Sequence, residues 1–488
     1  MATPIPINQC EFTLAEVIEA TSGTLVRAAS TARFTDSVRG VSIDTRSIEA
    51  GALFVAIRGA VSDGHDYLPQ AAARGAGGAI VARGRLDPAL DCIEVDDTIA
   101  ALGRLARRHL VRTRAAGALA VIAIGGAVGK TTTKELTAAA ARALFGSTLS
   151  TPGNLNNLIG VPMTIFTLTG EHRAAVLECG TNTRGEIAKL AQIVEPDVAM
   201  VLNVDLEHSE GLGTLEEIAN EEASLFSTAR RYAVASADEP MVLARIPKRL
   251  RRITFGKSAD ADVRLVSRSV GARSRIRVEV ARALLAAGAE PFIEAEIALI
   301  GEAAALNCTA AIAGVAAMRS RPLESRELAA IADALAAVKP VAGRLANSSI
   351  NGIFVIDDTY NSNPRSIRAA LAAAREVADG LGARLVIALG DMLELGELSA
   401  GAHQAVIREV MLAHPAAFVA VGPEMNSACA AISRDADSID VLTAPDSIAA
   451  GGIIAGLLRP GDVLLVKGSR GIAMERILER LGRWHGGQ

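Results

Sequence analysis

The chain has 488 residues, about three times the ~150 of an ordinary domain, so two or three domains are expected. Hydrophobic residues make up 50% of it and charged residues 21%, which excludes a wholly disordered chain. Fifty Lys plus Arg against 54 Asp plus Glu give a formal charge of -4, and only 3% of residues are aromatic, so no nucleic-acid partner is expected.

Alanine supplies much of the mean hydropathy of +0.30, and no run approaches ~18 strongly apolar residues, so no membrane insertion is expected. The five cysteines (Cys10, Cys92, Cys179, Cys308, Cys429) are scattered and never form a CxxC pair, which argues against a disulfide framework and a zinc site. A reducing compartment follows. The first residues, MATPIPINQCEFTLAEVIEA, lack a basic segment followed by an apolar one, so a cytoplasmic location is expected.

From 11 to 112 short apolar strands such as ALFVAIRG and GGAIVAR alternate with helical stretches, the mark of a small α/β unit. An Arg-bearing helical stretch from Ile99 leads into ALAVIAIGG, where a second domain begins near 115. Strand-like runs at 174–180 and 197–204, separated by helical patterns, predict a parallel sheet whose ligands sit at the C-terminal strand edge. Between about 245 and 300 the β-branched, charged text predicts an antiparallel excursion within the central domain. After a break around Val338, Pro340 and Gly343, strands at 353–358, 384–391, 416–422 and 462–469 predict a third α/β unit. The expected boundaries are 1–114, 115–338 and 339–488.

The strongest local signal is VIAIGGAVGKTTTKEL at 121–136. A buried strand feeds a glycine-rich turn and then a helix opened by Lys130 and Thr131. Gly126 and Gly129 allow a tight turn with amides aimed inward, Lys130 reaches outer phosphates, and the Thr131 hydroxyl can ligate Mg2+. Residues Gly126, Ala127, Val128, Gly129, Lys130, Thr131 and Thr132 are therefore the ATP-binding candidates. The spacing is a short GxxGKTT, because Ile124 stands where the usual motif has its first glycine.

Glu178 ends one strand and His208 follows another; each is either a magnesium ligand or a solvated loop residue. Asn154, Asn156 and Asn157 either donate amides to a ligand or hold a plain turn. Asp357 and Asp358 bind a ribose or end a strand and cap the next helix.

In one order along the chain stand GxxGKTT, NLNNLIGVP, ECG, EHSEG, AGR and DDTYNSNP. That order resembles the Mur ligase family over nearly the whole sequence, and the pairing of GNLNN with DDTYNSNP points to its branch that joins D-alanyl-D-alanine to a UDP-muramoyl-tripeptide. The resemblance implies a central P-loop ATPase domain between an N-terminal uridine-nucleotide-binding domain and a C-terminal Rossmann-like domain. It implies an ATP-dependent, ADP-forming amide ligase working through an acyl phosphate. Asp44, Thr45 and Arg46 take the uridine motif position. Thr131, Glu178 and His208 would share magnesium, Asn307 would touch adenine, Arg344 the γ-phosphate and Asp358 the ribose. Asn361, Asn363, Lys467, Gly468, Ser469 and Arg470 would line the dipeptide and closure side. A monomer is expected.

Three departures stand out. Where the family usually shows T-G-S/T-x-G-K-T, the loop reads Gly125-Gly126-Ala127-Val128-Gly129-Lys130-Thr131, so two polar side chains near the phosphates are missing. Glu222 stands where the family has a lysine whose carbamate ligates a second magnesium, so it either binds that metal through water or leaves it weakly held, and Ala303 stands where the family has a histidine near adenine. They leave two alternatives beside the ligase: a diverged relative using another acid and amine, or a catalytically weak nucleotide-binding relative.

Overall fold

The computed structural model describes residues 3–27, 37–206, 209–269, 273–431 and 439–482. Of four sheets among the described residues, three carry the three expected units and the fourth is the two-stranded pair of Glu11–Thr13 with Ser37–Arg39. The first has the strand order Thr24–Val26, Cys92–Val95, Gly78–Ala82, Leu53–Val55, Val41–Ser42; only the first pair is antiparallel. The helix Thr98–Ala116 leaves this sheet, started by Asp97, whose Oδ1 accepts the N–H groups of Ile99 at 2.8 Å and Ala100 at 3.0 Å. Such a cap contributes about 1 kcal/mol. One apolar cluster runs from Phe12, Leu53 and Ile80 through Leu102 and Leu105 of this helix to Val121 and Leu177, so the first two units share a core.

The central sheet has nine strands, with Ala120–Gly125 between Val198–Val201 and Ala174–Glu178. Both faces are covered, by the helices Lys130–Phe145 and Gly301–Arg319 on one side and by the shared core on the other, which is why AVIAIG reads as a continuous apolar run. Gly301–Arg319 is the one described helix long and apolar enough to cross a bilayer, yet 78% of its apolar window is buried within the fold.

The expected antiparallel excursion is confined to Val263–Arg268, Ser274–Val280 and Phe292–Ile297. The preceding strand Arg251–Gly256 instead extends the parallel sheet beside Tyr232–Ser236 and meets Val263–Arg268 in parallel at Phe255 and Gly256. Asp262 Oδ2 takes the N–H of Thr254 at 2.8 Å and so pins this tight crossing, a side-chain contact that residue alternation does not reveal.

In the third sheet Ala346–Ile350 is antiparallel at one edge, followed by the parallel strands Ile353–Asp358, Val463–Lys467, Leu385–Gly390, Ala417–Val421 and Asp440–Ala444. Register pairs Asp358 with Lys467 at the strand ends, where their side chains form an ion pair of 2.7 Å.

All five cysteines are free, and only Cys429 is not fully buried. Burial pushes the Cys10 and Cys308 thiols up to about 12, that of Cys429 to about 11, and that of Cys179 upward as well. Iodoacetamide at pH 8 should label Cys429 first and reach the other four only after urea unfolds the chain. Labelling of Cys179 at the rate of Cys429 would show that the central core is open.

Candidate active site

The strand Ala120–Gly125 ends on a turn that only glycine accommodates at two places. Gly126 has φ +118° and Gly129 φ +92°; a Cβ on Gly126 would lie 2.9 Å from the backbone nitrogen of Leu202, and one on Gly129 2.6 Å from Asn307 Oδ1. The same closeness brings Asn307 against the loop.

The loop's own amides are distributed differently from a simple cradle. Gly126 N–H donates to Glu222 Oε2 at 2.6 Å, Ala127 N–H to Asn203 O at 3.0 Å and Val128 N–H to Asn203 Oδ1 at 2.8 Å, while Asn203 Nδ2 donates back to Val128 O at 2.8 Å. Three of the amides expected to face phosphate therefore hold the loop in shape. The N-terminal turn of the helix Lys130–Phe145, whose first N–H groups have no carbonyl within the helix, is what remains to face an anion. Lys130 Nζ folds onto the loop, donating to the carbonyls of Gly126 and Ala127.

Thr131, 3% exposed, and Glu178, 1% exposed, meet where the resemblance joins them: Thr131 Oγ1 donates to Glu178 Oε2 at 2.9 Å. Asn156 Nδ2 donates to Glu178 Oε1 at 2.9 Å, so this asparagine orients the acid. Behind them, Glu178 N–H donates to Thr151 Oγ1 at 2.9 Å and the fully buried Lys134 reaches Thr151 O at 2.8 Å. A hydroxyl and a carboxylate are the oxygen donors magnesium prefers, and that ion keeps several waters beside one or two carboxylates, so these residues fit it. His208 lies outside the described residues. Glu222, 2% exposed, spends an oxygen on Gly126 and so acts on the loop's shape.

The C-terminal unit supplies the facing wall of a cavity of about 430 Å3. From the central unit it is lined by Ala127, Val128, Gly129, Lys130, Thr132, Asn154, Asn156, Asn157, Glu178, Ala303 and Asn307. Arg344, Asp358, Asn361, Asn363 and Lys467 line it from the other side. Asp358 is occupied by Leu345 N–H and Lys467, and Lys467 Nζ also donates to Asn361 O at 2.7 Å. Asn363 caps the helix Pro364–Leu381 through Ser366 N–H, and Asp357 holds the Thr359 turn and Gly343 N–H. Asp357 thus holds a turn at the strand end, while the next helix is capped by Asn363 and not by either aspartate.

Ser469 and Arg470 do not line the cavity. Ser469, 2% exposed, accepts from Leu393 N–H at 2.9 Å, and Arg470 pairs with Glu475 at 3.3 Å. Asp44, Thr45 and Arg46 also stand apart from it, at the C-terminal strand edge of the first sheet. There Arg46 pairs with Asp44 at 2.6 Å and holds its carboxyl below the usual range by hydrogen bonding.

Sequence reasoning did not assign Asn203, Lys134 or Tyr360. The guanidinium of Arg344 lies 4.0 Å from the Tyr360 ring centroid, which fixes that arginine at the cavity wall. Tyr360 was visible inside DDTYNSNP; Asn203 could be suspected only as a polar residue ending a parallel strand.

Family models cover most of the chain: Mur ligase family, catalytic domain, over 37–110; Mur ligase middle domain over 124–315; and Mur ligase, glutamate ligase domain, over 343–470. The UDP-N-acetylmuramoyl-tripeptide--D-alanyl-D-alanine ligase of Treponema pallidum is 32% identical, covering 95% of this chain and 97% of its own. The protein of that name from Escherichia coli is 32% identical over 90% of this chain and 93% of its own. Among solved structures, MurF from Acinetobacter baumannii superposes with a TM-score of 0.85 at 26% identity, covering 98% of this chain and 100% of that one. MurF ligase from Thermotoga maritima in complex with ADP gives 0.77 at 25% identity, over 91% and 97%.

The crowding at Gly129 yields a direct test. Gly129→Ala should weaken ADP binding at least tenfold by calorimetry while the melting temperature stays within a few degrees, because the strain falls on the loop and Asn307 alone. Unchanged ADP affinity would separate this turn from nucleotide binding.

Proposed function

The chain belongs to the Mur ligase family, and from that premise we propose that it joins D-alanyl-D-alanine to UDP-N-acetylmuramoyl-tripeptide with conversion of ATP to ADP and phosphate, a step of peptidoglycan precursor synthesis. The observation that carries the reading is the convergence of Lys130 and Glu178, the latter bonded by Thr131, from one lobe with Arg344, Asn361, Asn363 and Lys467 from another at a single cavity.

In this reading a carboxylate oxygen of the tripeptide attacks the γ-phosphorus and the bond to the ADP oxygen breaks. The dipeptide amine then attacks the acyl carbon, loses a proton and expels inorganic phosphate. Lys130 and the first helical turn offset charge on the transferring group from one side, and Arg344, held on Tyr360, from the other. Magnesium, when bound by Thr131 and Glu178, would supply neutralisation of phosphate oxygens. Asn156 keeps Glu178 oriented, and Asn154 and Asn157 stand ready for the tripeptide end. Closure of the C-terminal lobe excludes water, which would otherwise hydrolyse the acyl phosphate. Asp44, Thr45 and Arg46 are assigned the uridine nucleotide. Asn307 is assigned adenine and Asp358 the ribose, reached by exchange of its bond to Lys467. Ser469 and Arg470 support the dipeptide side from behind.

The five free cysteines accord with a reducing cytoplasm. Glu222 already carries the carboxylate that a modified lysine would acquire, so the reading requires no bicarbonate.

Purified protein with ATP, Mg2+, UDP-muramoyl-tripeptide and D-alanyl-D-alanine should release phosphate and form pentapeptide in equal amounts. Lys130→Ala should lower kcat by about 10²–10³. Added bicarbonate should change nothing. Turnover only with a different acid or amine would redirect the reading to a diverged ligase, and absence of turnover with any pair would mark a weak nucleotide-binding relative.

A further inference from the structure

The helix Pro364–Leu381 begins with a residue that has no N–H, so Arg365 carries its first backbone donor. The cap residue Asn363 takes the N–H of Ser366 instead, at 2.8 Å. The donor of Arg365 is satisfied from the other lobe, by Asp205 Oδ2 at 3.1 Å, which also sets a carboxylate at a helix N-terminus. The side chain of the same residue crosses too: Nη1 donates to Val204 O at 3.3 Å and Nη2 pairs with Glu239 Oε1 at 2.5 Å. Glu239 is only 15% exposed and follows the strand Tyr232–Ser236, so one arginine grips the ends of two central strands.

What Arg365 grips is not neutral ground. Val204 and Asp205 directly follow Asn203, whose side chain and carbonyl clasp Ala127 and Val128 of the phosphate loop. Immediately before Arg365 on its own lobe stand Asn361 and Asn363 of the cavity wall. A continuous run of bonded groups thus leads from the C-terminal wall to the phosphate loop. A second interlobe ion pair, Arg268 with Glu376, joins the lobes without touching residues 203–205.

We propose that Arg365 is a positioning residue that couples docking of the C-terminal lobe to the shape of the phosphate loop, through Val204, Asp205 and Asn203. The proposal rests on the ligase reading above for its kinetic arm and on no function for its structural arm. Loss of the side chain removes its holds on Val204 and Glu239 and leaves only the backbone bond to Asp205, so the segment carrying Asn203 loosens and the loop is misplaced during phosphoryl transfer while the loop and helix still bind nucleotide.

The test compares Arg365→Ala, Arg365→Lys, Glu239→Gln, the swap Glu239→Arg with Arg365→Glu, and Arg268→Ala, using steady-state kinetics, ADP calorimetry and small-angle X-ray scattering of the full chain. Arg365→Ala should lower kcat at least tenfold with ADP affinity and ATP KM within threefold, and should raise the radius of gyration of the ADP complex. Arg365→Lys and the swap should each recover at least a third of kcat, and Glu239→Gln should fall between. Arg268→Ala should stay within threefold of the parent in kcat. Arg365→Ala within twofold of the parent, or Arg268→Ala as damaging as Arg365→Ala, would overturn the coupling. If Arg365→Ala does not fold, parental kcat and scattering in Glu239→Gln overturn it equally. If the parent itself turns over no substrate pair, the ligase reading fails, and unchanged scattering by Arg365→Ala separately sinks the clamp.

Discussion

Parallel pairing of the strand Ala120–Gly125 with both its neighbours is the constraint from which the site follows. Register sets Glu178 beside Ile124 and Val201 beside Gly125, so three chain segments leave the sheet at one level and on one edge. The first becomes the phosphate loop, the second presents Glu178 and the third presents Asn203. A one-residue slip of Ala174–Glu178 would turn Glu178 to the opposite face of the sheet and separate it from Thr131. The all-apolar strands prevent that slip, because both sheet faces are packed and a displaced carboxylate would enter a dry core.

Burying charge at this edge has a cost that bonding must offset. Glu178 and Lys134 are essentially inaccessible, and each meets it with two partners: Thr131 and Asn156 for the acid, Thr151 O and Glu135 for the base. Those bonds also connect the phosphate-loop helix to the asparagine loop at 154–157, so the groups that neutralise the charges are the ones that carry orientation. Glu221 and Glu222 divide similar labour on the helix Leu215–Ala223. The first caps the helix Glu186–Val194 through Gly185 and Ile187 N–H, and the second fixes Gly126.

Features written in contiguous residues were legible. The strand, glycines and GKTT of the loop declare themselves locally, and strands such as IFVIDD and RLVIALGD fall within a residue of where their apolar runs predict. Features made by distant partners were not. Nothing local announces that strand pairing brings Lys467 beside Asp358, or that Leu393 N–H takes the Ser469 hydroxyl. The loop amides were read as one cradle because a sequence does not state which of them Asn203 and Glu222 will occupy. The strand Arg251–Gly256 was misread for a like reason, since Asp262 fixes its crossing by a side-chain bond.

The lobes are joined by two kinds of contact, and the difference sets which part can move. The first and second share a continuous apolar cluster around the helix Thr98–Ala116, and separating them would expose that surface to water at about 25 cal/mol per Å2. The third keeps its own two clusters, admitting only Ile300 from the central unit, and meets its neighbour largely through polar groups: Arg365 with Glu239, Ser209 with Leu395, Arg268 with Glu376. Polar contacts exchange for water at little net cost, whereas a divided core does not. The C-terminal unit is thus the one that could part from its neighbour at least cost, and Arg344 lies directly beyond the connection 338–343. Such a parting would withdraw Arg344, Asn361 and Lys467 together from the phosphate loop, so substrate entry and loss of transition-state charge stabilisation would be one event.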